Sequence, residues 1–183
     1  VKTLELNGSN MKFTYISYLP PSLENLILDN CYEITNEGIK NLPTSLKSLH
    51  IHFDYRSYKY RGHTNKITRE IVKYLPKGLT EFNVGGIKLE DNDIKELPSS
   101  LTKLSLIRQS KLTNKGFEYL SNYSLKSLEI SRNNNFDIEG IKPLPSTLTY
   151  LSIINCNQIN DNCLQYLPPN LIHLKLEYCS NIS

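Results

Sequence analysis

The chain has 183 residues, 39% of them apolar and 21% charged, with a net charge of +3. That apolar share is enough for one domain or one repeat array. The weak basic excess forms no Lys/Arg stripe of the kind nucleic acid selects, and no run of about 18 apolar residues is present to span a bilayer.

Four cysteines, Cys31, Cys156, Cys163 and Cys179, are too few for a disulfide scaffold in a chain of this length and fit no zinc spacing. They read as reduced thiols in an intracellular protein of the cytoplasm or nucleus, with no membrane association. The chain opens Val1-Lys2-Thr3 without a leader, and both ends fall inside a repeat unit. This reads as a fragment of a longer protein.

The units follow one another in chain order. One occupies 1–22, and others start at Leu23, Leu46, Leu79, Leu101, Leu125, Leu148 and, shortened, Leu171. Their period is 22 to 24 residues, except that the unit from Leu46 has 33 and so carries an insertion, placed at 54–66. Each opens L-x-x-L-x-L, a short strand whose alternate residues face inward. Leu26 with Leu28, Phe82 with Val84 and Leu151 with Ile153 fill the same pair of slots. A small residue follows where the backbone leaves the strand (Cys31, Asn133, Cys156, Cys179), then an inward Ile, Leu or Phe (Ile34, Leu112, Phe136, Ile159, Ile182).

A helical turn is predicted next, N-capped by Thr35, Thr113, Asp137 or Asn160. Ile39, Phe117, Ile141 and Leu164 are expected to turn toward the core. The unit closes on Leu-Pro, as at Leu42-Pro43, where proline ends the helix and sets up the return. One such unit cannot bury its own apolar face, so stacking must. The expectation is a single α/β solenoid: a curved, parallel inner sheet of about eight short strands, roughly 35 Å across, with short helical or irregular outer turns.

The segments LENLILDNCYEITNEGIKNL at Leu23–Leu42 and LTYLSIINCNQINDNCLQYL at Leu148–Leu167 resemble the cysteine-containing class of leucine-rich repeat, common in F-box substrate-recognition subunits of ubiquitin ligases. LPTSLKSLHI at Leu42–Ile51 is similar to the FNIP-type repeats of amoebae and giant viruses. LPPSL-type wording also occurs in bacterial ubiquitin-ligase effectors, whose repeats are usually shorter and lack the Thr-Asn-x-Gly element seen at Thr35–Gly38 and Thr113–Gly116. The resemblance implies a protein-interaction module, with substrate recognition for an F-box-type ubiquitin ligase as its function. A cullin adaptor would then bind through an F-box upstream of Val1. A scaffold or host-interaction protein without a ubiquitin link is the alternative.

The solenoid's concave face and the insertion are the expected partner surfaces. The insertion, DYRSYKYRGHTNK, is rich in Tyr and Arg, the side chains that most often dominate interfaces. Candidate partner contacts are His50, His52, Phe53, Tyr55, Arg56, Tyr58, Tyr60 and Arg61, with Lys103, Ile107 and Tyr150 on the concave strands. A tolerated surface loop is the plain alternative, and stacking on single-stranded nucleic acid a third. His50 and His52 point to one side with Glu81 on the next strand, but a third zinc ligand is not evident. Cys156 and Cys179 are neighbours in the stack, so oxidation is geometrically conceivable, with reduced packing the expected state. No nucleophile elbow, phosphate loop or HExxH occurs. Neither a metal, a cofactor nor enzymatic activity is expected.

Overall fold

The computed structural model describes residues 1–8, 13–54 and 65–183. Eight strands lie in one parallel sheet in sequence order: Thr3–Asn7 (β1), Asn25–Asp29 (β2), Ser48–His52 (β3), Glu81–Gly85 (β4), Lys103–Ile107 (β5), Ser127–Ser131 (β6), Tyr150–Ile154 (β7) and His173–Glu177 (β8). Register holds without a slip across all seven pairings, so each strand position becomes a row running through the stack. One row is Leu4, Leu26, Leu49, Phe82, Leu104, Leu128, Leu151, Leu174; another is Leu6, Leu28, Ile51, Val84, Leu106, Ile130, Ile153, Leu176. From β2 to β7 both rows are buried. Each such side chain stabilises the fold by about 1.5–3 kcal/mol. A one-residue slip would turn these rows out to solvent, which is why register is so strictly kept.

The other side of the core is made by the returning segments. Short α-helices occupy Asn36–Ile39, Asp91–Lys95, Asn114–Glu118 and Ile138–Ile141, and 3₁₀ turns occupy Phe13–Tyr18, Arg69–Tyr74, Tyr119–Asn122 and Asp161–Tyr166. Ile39, Phe117 and Ile141 are buried as the repeat pattern requires, with Phe117 and Phe136 rings 4.5 Å apart. Leu164 departs from the expectation: it is 41% exposed. No helical turn from the last unit packs over it, and the buried Cys163 fills the core slot beside it.

The caps fall where the sequence places them, since side chains of Thr35, Thr113, Asp137 and Asn160 accept from the N–H of Gly38, Lys115, Glu139 and Asn162. A second ladder ties one cap to the next. Asn36 bonds the Thr68 hydroxyl and N–H, Asp91 the Thr113 N–H and hydroxyl, Asn114 the Asp137 carboxylate and N–H, and Asp161 the Ser183 N–H and hydroxyl. The Asn of Thr-Asn-x-Gly thus reaches across repeats. The glycine of the next unit leaves it room, because a Cβ on Gly140 would stand 2.7 Å from Asn114 Oδ1.

Each Leu-Pro starts a tight turn in which the proline carbonyl accepts the N–H of the leucine three residues on, at 3.0–3.3 Å (for example Leu23 to Pro20 and Leu171 to Pro168). The hydroxyls of Ser45, Ser100 and Thr147, each closing its unit, donate to the carbonyl of the leucine that opens the same unit, which explains the Ser or Thr before the next leucine.

Candidate functional site

Three rows of side chains stand on the open face of the sheet, the face opposite the helical turns. The first is Thr3, Asn25, Ser48, Glu81, Lys103, Ser127, Tyr150, His173. The middle row is Glu5, Ile27, His50, Asn83, Ser105, Glu129, Ser152, Lys175, and the third Asn7, Asp29, His52, Gly85, Ile107, Ser131, Ile154, Glu177. Five carboxylates stand there against two lysines, in a chain whose overall charge is +3. Among the described residues the strand rows are anionic, because the other lysines and the arginines stand outside them.

The pairing of these charges is uneven. Glu81 accepts from His50 Nε2 at 3.0 Å and faces Lys103 Nζ at 3.6 Å, while Glu177 takes Lys175 at 3.2 Å. Among the described residues, Glu5, Asp29 and Glu129 have no cationic partner. Glu129 is flanked in register by Ser105 on β5 and Ser152 on β7, and both serine hydroxyls are buried without a hydrogen-bond partner.

The sequence-derived candidates separate in space. His50, Lys103, Ile107 and Tyr150 stand on the open face, Tyr150 stacked on His173 with ring centroids 5.1 Å apart. His52 lies across Gly85, where a Cβ would come within 2.7 Å of its ring, so glycine is what admits the imidazole. His50 and Glu81 are joined, yet no three metal-ligating side chains converge among the described residues. Phe53 is 3% exposed, its ring 5.3 Å from Tyr32 and its backbone pressed by Gly86. It packs into the core, where the sequence suggested a partner contact, because its place at the strand end turns it inward. Tyr55, Arg56, Tyr58, Tyr60 and Arg61 lie outside the described residues.

The two described ends of the insertion, Asp54 and Asn65, border a cleft of about 500 Å³ with Ile67, Arg69, Ile87, Lys88 and Arg108 on its walls. Arg69 is anchored there by Asp93 at 2.9 Å and Glu90 at 3.3 Å. The repeat resumes with buried Ile67 and with Thr68 in the capping position. Among the described residues no helix is long and apolar enough to cross a membrane.

No protein-family model matches the chain, and no curated protein matches it either. Among solved structures it is similar to a chain of the yeast complex of Rad7 and Elc1, with a TM-score of 0.59 and 18% identity over 100% of this chain and 58% of that one. It is also similar to a chain of the TLR13–ssRNA13 complex, with a TM-score of 0.51 and 16% identity over 97% of this chain and 36% of that one. A third similarity is to the leucine-rich-repeat-containing protein LegL7 of Legionella pneumophila, TM-score 0.47, 13% identity, covering 97% and 83%. The chain therefore spans little more than half of the yeast chain it matches. With its eight in-register strands and short helical returns, it is an α/β leucine-rich-repeat solenoid.

Proposed function

We propose that this solenoid is a protein-recognition module, that the open face of the sheet is its docking surface, and that it selects substrates for an F-box-type ubiquitin ligase. The observation that carries the docking assignment is the anionic open face, with Glu5, Asp29 and Glu129 lacking cations in a chain of opposite net charge. Such a face steers a basic protein surface toward it and repels a phosphate backbone. The ligase assignment draws on the cysteine-containing repeat wording. It also draws on the likeness to a yeast chain solved with a second protein, Elc1 in a complex with Rad7. We assign added specificity to Tyr55, Arg56, Tyr58, Tyr60 and Arg61 of the insertion, and the setting is intracellular.

Affinity capture from host-cell lysate with the full-length protein, read by mass spectrometry, tests this. Two variants accompany it: one lacking Tyr58 to Thr64, and one carrying Glu5→Lys, Asp29→Lys and Glu129→Lys. Recovery of a cullin adaptor, with a second protein lost from both variants, supports the whole assignment. Partners lost from the charge variant but unaccompanied by ubiquitin machinery leave a scaffold, and partners indifferent to the charge variant contradict the docking face.

A further inference from the structure

The rows of the open face meet in a niche between β4, β5 and β6. A cavity of about 130 Å³ opens there, lined by Glu81, Asn83, Lys103, Ser105, Ser127 and Glu129 beside the strand backbone. A water's share of liquid volume is about 30 Å³, so the cavity has room for a group the size of a few waters. Its chemistry is lopsided toward acceptors. Glu129 makes no ion pair among the described residues. The hydroxyl of Ser105 is buried without a partner beside it, and on the other side of Glu129 Ser152, 0% exposed, is left the same way. A buried hydroxyl without a partner costs free energy, and native folds rarely tolerate two around one carboxylate without a reason.

We propose that this niche receives the guanidinium of an arginine side chain presented by the partner protein, an inference that rests on the open face being the docking surface. A guanidinium is a planar donor with five N–H groups and no acceptor. The niche supplies acceptor-bearing side chains for it in Glu129, Ser105 and Asn83. Glu81 stands at the rim, held by Lys103 only at 3.6 Å, beyond a good hydrogen bond, so an incoming arginine displaces that lysine cheaply. An ammonium has three donors and would leave acceptors unmet.

The test is an NMR titration of the 183-residue chain with acetyl-Gly-Arg-Gly-amide, and with the same peptide carrying lysine or the neutral isostere citrulline. The expected result is saturable shifts at the Asn83, Ser105 and Glu129 amides with the arginine peptide, at least fivefold weaker with lysine and absent with citrulline. Glu129→Gln then lowers arginine-peptide affinity at least tenfold and Ser105→Ala at least threefold, with the rest of the spectrum unchanged. Equal binding of citrulline, shifts elsewhere on the surface, or a Glu129→Gln variant that binds as well would overturn the proposal. This failure is separable from failure of the docking assignment. If the peptide does not bind while partner capture is still lost on charge reversal, the guanidinium site falls and the docking face stands.

Discussion

At the corner after five of the eight strands, Asn30, Arg108, Arg132, Asn155 and Tyr178 hold φ between 53° and 58°. That region suits Gly and Asn and costs other residues roughly 1 kcal/mol or more. The corner is retained because its N–H extends the sheet ladder by one bond, Arg132 to Ile154 O at 2.8 Å and Arg108 to Ser131 O at 2.7 Å. Replacing Arg132 with Asn, already used at two equivalent corners, is expected to raise stability by about 0.5–1 kcal/mol, read as an upward shift of the urea midpoint. An unchanged or lowered midpoint would show that Arg132 is not strained.

Tyr123 gives a pH signature at the same scale. Its hydroxyl donates to the carbonyls of Ile94 and Leu97 at 2.6 and 3.1 Å. Burial, with a smaller contribution from Glu96, pushes its pKa up to about 12 from 10.0. Because the folded value is the higher one, its contribution is fully present below pH 10 and is lost as pH rises through 12. The loss should reach roughly 2–3 kcal/mol. Unfolding titrations from pH 9 to 12 should show this fall in the wild type and a flatter profile in Tyr123→Phe. A profile equally steep in both would place the alkaline sensitivity elsewhere. Burial likewise pushes the Cys156 thiol up. Cys156 and the other three cysteines are buried without a disulfide between them.

Between repeats, polar ladders decide how units align. Asn133, fully buried, donates to the carbonyls of Gln109 and Leu112 and accepts from the Asn135 N–H. Cys31, Cys156 and Cys179 fill the equivalent place with thiols that donate more weakly to strand carbonyls. Asn133→Ala should therefore cost about 1–3 kcal/mol, since it strands buried carbonyls. Asn133→Cys should cost less, because a cysteine already fits that slot; equal costs would deny the ladder its role. The cap-to-cap ladder predicts a similar loss, about 1–2 kcal/mol, for Asp91→Ala, which removes both bonds to Thr113.

The elements were legible in the sequence because period-2 apolar pairs and capping residues are local signals. Every strand pair and the caps at Thr35, Thr113, Asp137 and Asn160 followed from them. The links from Asn36 to Thr68 and from Asn114 to Asp137 were not, since they join residues a whole repeat apart. Leu164 departed from expectation because its cover depends on what the neighbouring unit places over it, and Phe53 because its place at the strand end turns it inward. Of the proposed docking face, the outward residues were readable, but the pairing of Glu81 and the isolation of Glu129 needed the register in space.

For the whole molecule, stability is distributed along one axis, each unit resting on its neighbours. Core strand residues of β2 to β7 are buried, whereas Leu174 of β8 is 37% exposed and Ile172 beside it 86%. Native-state hydrogen exchange should accordingly be slowest in β4 to β6 and fastest in β1 and β8. Uniform protection across the sheet would contradict this. The anionic face belongs to this scale too, because its charge is set by eight strands at once.

Site-specific photo-crosslinking tests the docking face most directly. A photoreactive residue is placed at Ser48 or Tyr150 on the open face, and at Lys115 or Glu139 on the helical side, in full-length protein exposed to host lysate. The account predicts discrete protein adducts from the first pair, suppressed by high salt, and none from the second. Adducts confined to Lys115 and Glu139, or nucleic acid captured at Ser48 and Tyr150, would contradict it.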